Sequence, residues 1–146
     1  MIEVSSENNV LLEIELGVVI KENCSNVSPE EAYNKILGYF LASDLTAVRK
    51  PILGAFPDLF FNKSFNNFTP ISNRFLDFSE IKDPQNVTIE FEVIENGSVI
   101  KGLKFSTSDM VWTIAEQIAF FSKRCDLVAG DLILTGSISP PMIRDG

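Results

Sequence analysis

Residues 12–49 read LEIELGVVIKENCSNVSPEEAYNKILGYFLASDLTAVR, and this stretch decides the fold. Leu12, Ile14, Leu16 and Val18 alternate with Glu13, Glu15 and Gly17. Period-two alternation over residues 10–21 predicts a strand with one face in a core. Ser28-Pro29-Glu30-Glu31 then carries an N-cap serine, a proline at the first helical position and a glutamate that closes a capping box. The spacing predicts a helix to about residue 37, with Gly38 as terminator. The apolar run 39–45 predicts a short buried strand, closed by the acid Asp44.

Working outward, residues 50–70 are aromatic and irregular, with Pro51, Pro57 and Pro70. They predict a long loop of the kind that often carries function. Segments 87–95 and 98–105 flank Asn96-Gly97, the signature of a type I′ hairpin. A second capping box, Thr113 to Glu116, predicts a helix through about Arg124 with Ile114, Ile118 and Phe121 inward. Residues 126–135 predict a returning strand. Strands outnumber helices, so the expected class is a strand-dominated α+β domain spanning residues 1–146, not a doubly wound sheet.

Bulk properties narrow the function. A chain of 146 residues holds one core. Its 45% hydrophobic and 22% charged residues are those of a globular protein. A net charge of −8 without a basic stripe argues against nucleic acid as partner. The apolar runs are too short to span a bilayer, so no membrane partner is expected. The first residues, MIEVSSENN, have neither signal-peptide nor transit-peptide character. Cys24 and Cys125 lack metal-type spacing and read as free thiols of a reducing compartment, so a cytoplasmic location is expected.

Glu13 and Glu15 share one strand face with Cα atoms about 7 Å apart. Their carboxylates can converge on a hard divalent cation at roughly 2.0–2.1 Å. The bland alternative is a solvated strand face. Glu90 and Glu92 have the same spacing beside the hairpin turn and serve as an internal control. Asp44 strengthens the metal reading, because an unpaired buried carboxylate is costly. Its own alternative is a helix N-cap before Leu45-Thr46-Ala47. Lys63, among Phe60, Phe61, Phe65 and Phe68, has either a lowered pKa, a charge-stabilising role or a snorkelling surface position.

Five segments occur here in the order of a known family: LEIELGVVI, NVSPEEAYNKILGYFLASDLTA, NKSFNNFTPIS, TSDMVWTIAEQIAFFS and LVAGDLILTGS. Together they cover most of residues 11–137, and on them the chain resembles the fumarylacetoacetate hydrolase family. The likeness is strongest to its short branch of acylpyruvases and oxaloacetate decarboxylases. The resemblance implies a mixed β-roll, usually a homodimer. It implies Glu13, Glu15 and Asp44 as ligands of Mg2+ or Mn2+, Lys63 as the active-site lysine, and Thr135 and Arg49 as substrate-binding residues. The implied chemistry is C–C cleavage, by hydrolysis or decarboxylation, of small 2-oxo or 2,4-diketo acids such as acylpyruvates or oxaloacetate.

Departures from the family temper the expectation. The family arginine falls one position late, at Arg49, and the loop before Lys63 looks shortened. The turn after Thr135 differs, as Gly-Ser-Ile-Ser-Pro-Pro. The family also has a lid helix with a His–Glu pair, while this sequence contains no histidine. The expectation is therefore a family member truncated at both ends, with a mitochondrial location as alternative if a targeting segment precedes it. Two alternatives to the cleavage reaction stand beside it: an inactive metal-binding or dimerisation module, and an oxaloacetate keto–enol tautomerase.

Overall fold

The computed structural model describes residues 9–48, 59–137 and 142–143. Among these the chain order is β1 (Asn9–Ile20), α1 (Pro29–Ala32), β2 (Ile36–Val48), α2 (Leu59–Lys63), β3 (Ile71–Asp77), β4 (Thr88–Glu95), β5 (Ser98–Ser106), α3 (Ile114–Ser122), β6 (Leu132–Leu134) and β7 (Met142–Ile143). The main sheet runs β3-β2-β1-β6, with β7 also paired to β1, and β4-β5 form a separate ribbon. The expected strand-dominated α+β class is what is observed.

The long antiparallel pair β1–β2 is the spine. Its register sets Glu13 opposite Asp44, Glu15 opposite Ala42 and Gly17 opposite Phe40. As the alternation predicted, Leu16, Val18 and Ile20 enter the core, where they meet Ile114, Ala115 and Ile118 of α3. A smaller cluster at the other end joins Val10, Leu45, Ala47 and Phe68. The opposite face is covered as well, since Phe40, Ala42 and Thr46 are buried there. Gly17 makes this possible. A Cβ at that position would lie 2.2 Å from the Phe40 ring, so only glycine lets the ring cross β1.

Local expectations fared unevenly. Both capping boxes form, Ser28 with Glu31 and Thr113 with Glu116. However, α1 ends at Ala32, passes into a 3-10 turn over Tyr33–Lys35 and gives way to β2 at Ile36. Gly38 is therefore no helix terminator. It lies inside β2, where a Cβ would sit 2.3 Å from the Leu76 carbonyl oxygen and from the Phe75 ring of β3. The strand expected over 39–45 runs from Ile36 to Val48, which excludes the N-cap alternative for Asp44.

The Asn96-Gly97 hairpin forms as expected, with φ of 49° and 79° at its two turn residues. On α3 the inner face is Ile114, Ala115, Ile118, Ala119 and Ser122, while Phe121 is exposed. The expected strand over 126–135 shrinks to Leu132–Leu134, preceded by an isolated bridge between Cys24 and Leu127. Both cysteines are free. No helix among the described residues is long and apolar enough to cross a membrane, which says nothing of β-barrels.

Candidate metal and substrate site

The β1–β2 register brings Glu13 and Asp44 together from strands that are far apart in sequence. Lys63 reaches them from the end of α2. The segment after α2 is tied to β2 by Leu45 N–H donating to the Phe68 carbonyl at 2.8 Å and Ser43 N–H to the Pro70 carbonyl at 3.0 Å. Phe68 anchors it from the small core cluster, packed at 4.9 Å against Phe65. Two of the four expected phenylalanines are thus structural, while Phe60 and Phe61 are exposed.

The Lys63 ammonium donates to Asp44 Oδ2 at 2.5 Å, to Thr46 Oγ1 at 2.7 Å and to Glu13 Oε2 at 2.8 Å. Thr46 completes the cluster by donating to Glu13 Oε2 at 2.6 Å. Burial pulls the lysine down, but its hydrogen bonds to Asp44 and Glu13, with their charges, outweigh it and raise its pKa above the ordinary lysine value. The two ion pairs place Lys63 in the cluster and not as a snorkelling surface lysine. Lys63 is a fixed positive charge.

Glu15 stands beside this cluster and is only 4% exposed. Its Oε2 accepts from Gly136 N–H at 2.6 Å. Burial pushes its carboxyl up from 4.5 to about 7, and the charges of Asp44 and Glu13 add to the effect against the Gly136 bond. Thr135 precedes that glycine and is buried. Its hydroxyl donates to the Leu16 carbonyl at 2.7 Å, so its proton is committed to the backbone. Gly136 itself has φ of 93°, a region that favours glycine.

The control pair behaves as the bland reading required. Glu90 and Glu92 are exposed on β4, and Glu90 lies 3.7 Å from Lys104. Arg49 lies outside the described residues. Thr46 and Gly136 were missed by sequence reasoning. Thr46 had a usable signal, since it follows Asp44 by two positions and must share its strand face.

Among the described residues no group of three His, Cys, Asp or Glu side chains is placed to hold a metal ion. Glu13 and Asp44 close on the Lys63 ammonium instead, with Glu15 adjacent. The donor chemistry nonetheless suits a hard divalent cation. Once Glu15 is ionised, three carboxylates against one ammonium leave an excess of two negative charges, and all the metal-type donors are oxygens. A buried glutamate raised to about 7 partly by its acidic neighbours is the condition that a bound cation relieves.

A cavity of about 630 Å³ is lined in part by Thr135, Gly136 and Ser137, and so meets the cluster through the Gly136 bond to Glu15. Met110, Val111, Trp112, Phe120, Phe121 and Leu134 give it apolar walls, and the Thr135–Ser137 turn forms one end. Gly136 therefore faces the cavity's lining on one side and holds Glu15 on the other.

The site is thus an acid-bearing strand pair in a β-rich fold, with a half-buried lysine paired to two of its carboxylates. The chain belongs to the fumarylacetoacetate hydrolase family. The family model described as fumarylacetoacetate (FAA) hydrolase C-terminal matches residues 2–146. The oxaloacetate tautomerase YisK of Bacillus subtilis (strain 168) is 34% identical over 140 residues, covering 90% of this chain and 44% of the relative. A 2,4-didehydro-3-deoxy-L-rhamnonate hydrolase of Sphingomonas sp. (strain SKA58) is 32% identical over 135 residues, covering 92% and 45%.

Among solved structures, the maleylpyruvate hydrolase of Sphingobium sp. SYK-6, in complex with manganese (II) ion and pyruvate, matches with a TM-score of 0.78. The match is 23% identical and covers 99% of this chain and 50% of that one. It shares the fold. An Escherichia coli putative isomerase matches with a TM-score of 0.74 at 32% identity, covering 92% and 63%. The chain spans about half the length of the curated relatives it matches.

Proposed function

We propose that this chain carries the acid site of a divalent-metal-dependent enzyme for small 2-oxo acids, promoting C–C cleavage or keto–enol isomerisation. The observation that carries it is the convergence of Glu13, Asp44 and Lys63, with Glu15 beside them, on one face of β1–β2. Glu13, Glu15 and Asp44 would hold Mg2+ or Mn2+. Such an ion, when bound, supplies Lewis-acid polarisation of a 2-oxo oxygen.

The chain's own residues do the rest. Lys63, beside Asp44 and Glu13, would place a positive charge where negative charge develops on the substrate. Thr46 fixes the Glu13 carboxylate through a 2.6 Å hydrogen bond. Thr135 and Gly136 line the cavity that would receive the rest of the substrate, and Arg49 belongs to the same reading as a substrate contact.

Isomerisation is the favoured chemistry. It needs charge stabilisation at the 2-oxo group, which Lys63 provides, and the exchange of one proton with solvent water, lost from carbon 3 and regained on the enolate oxygen, whereas hydrolysis must in addition activate a water as nucleophile. The tautomerase of B. subtilis, at 34% identity, supports this choice. A homodimer in the cytoplasm is part of the same proposal, and sedimentation velocity tests the dimer.

Proton NMR of a 2-oxo acid in D2O with added magnesium tests the reaction. Accelerated exchange at carbon 3 that is lost in Lys63→Met is expected. Exchange at the uncatalysed rate with folded wild-type protein would overturn the proposal.

A further inference from the structure

Gln117, on the cavity side of α3, makes two hydrogen bonds that helix formation does not require. Its Nε2 donates to the Trp112 carbonyl at 3.1 Å and to the Thr135 carbonyl at 3.1 Å. Both partners are acceptors only, so the amide orientation is settled: the NH2 end faces the two carbonyls and both its protons are used.

The second contact has a consequence for the site. The Thr135 carbonyl and the Gly136 N–H are the two ends of one peptide group, which is planar. Gln117 grips that group by its oxygen, and Glu15 accepts from its N–H at 2.6 Å. A donor on the carbonyl fixes the plane's rotation and polarises it, which strengthens the N–H as a donor at the other end.

The remaining attachments of the turn run to β1: Thr135 Oγ1 donates to the Leu16 carbonyl at 2.7 Å, and Thr135 N–H donates to the same oxygen at 3.3 Å. These hold Thr135 against the strand. Neither reaches the peptide group that faces Glu15.

We infer that Gln117 is a positioning residue: it orients and polarises the Thr135–Gly136 peptide plane that fixes the Glu15 carboxylate. The same amide joins Trp112, a wall of the cavity, to that plane. Cavity wall and metal-site acid are thereby linked through one side chain. The inference rests on reading Glu15 as a metal ligand for its consequence, but the plane itself can be observed without metal.

Gln85 supplies a matched control. Its amide also braces the cavity loop, donating to the Thr107 carbonyl at 2.7 Å and accepting from Ile114 N–H at 3.0 Å, but it makes no contact with Thr135. The test compares Gln117→Leu, the isosteric Gln117→Glu and Gln85→Leu in the full chain. In metal-free protein, the Gly136 amide proton is followed by NMR. With manganese, affinity is followed by electron paramagnetic resonance.

Both Gln117 variants should move the Gly136 resonance upfield and weaken manganese binding by about tenfold or more, the range seen when a partner of a metal ligand is removed. Gln85→Leu should lower the melting temperature and change neither readout. A Gly136 resonance unmoved in both Gln117 variants, or moved equally in Gln85→Leu, overturns the inference whether or not metal binds. A wild-type protein that binds no manganese overturns instead the metal reading of Glu15, while the Gly136 resonance still decides the role of Gln117.

Discussion

Replacing Glu15 with glutamine should stabilise the metal-free protein at high pH and leave its stability unchanged at low pH. The glutamine oxygen can still accept the Gly136 N–H, so the substitution removes the charge and keeps the shape. Glu15 loses its proton near 7 in the folded chain and near 4.5 when unfolded. Below 4.5 both states hold the proton and the group is neutral in its effect. Between 4.5 and 7 the unfolded chain releases it first, so stability falls as pH rises. Above 7 the full penalty is present, about 3 kcal/mol from the two pKa values.

Urea unfolding in the presence of a chelator should therefore show Glu15→Gln level with wild type at pH 4 and about 3 kcal/mol more stable at pH 8. Manganese should reverse the order at pH 8, because only the wild-type site gains binding energy. An advantage of equal size at both pH values, or a loss at pH 8 without metal, would refute the reasoning.

Other consequences are local. Lys63→Met should cut turnover by about 10²–10³-fold, the scale for losing one preorganised charge stabiliser, and steady-state kinetics will measure it. Gly17→Val should cost about 1–3 kcal/mol or more by driving a side chain into the Phe40 ring, read as a lowered denaturant midpoint. Thr113→Ala should cost about 1 kcal/mol through loss of the α3 cap, with no change in metal affinity by calorimetry.

Much of the fold was legible because it is encoded locally. The β1 alternation, both capping boxes and the Asn96-Gly97 turn depend on residues within a few positions of one another, and all of them form. What failed depended on distant partners. Gly38 looks like a helix terminator until the Phe75 ring and the Leu76 carbonyl of β3 are laid against it. β3 itself has an exposed, mixed pattern that carries no clean period, and the sequence reading assigns residues 71–77 no element. Phe121 has helical spacing but faces away from the core.

The site shows the same division. Glu13 and Glu15 were visible from strand spacing, but Glu90 and Glu92 have that spacing too and are exposed. Only register pairs Glu13 with Asp44, and only the packing of residues after α2 carries Lys63 to both. The raised pKa of Glu15 comes chiefly from burial on a face that looked solvated in the sequence. Gln117 had no signal, and Gly136 showed only as part of the turn after Thr135, because their contribution runs through one backbone peptide group.

The central claim is that Glu13, Glu15 and Asp44 form one divalent-cation site. Calorimetric titration of the full chain with manganese, with and without oxalate as a bidentate substrate mimic, tests it most directly. The account predicts a single metal site that oxalate tightens, abolished by Glu15→Ala and retained by Glu92→Ala. A folded wild-type protein that gives no binding heat, or equal loss in both variants, would contradict it.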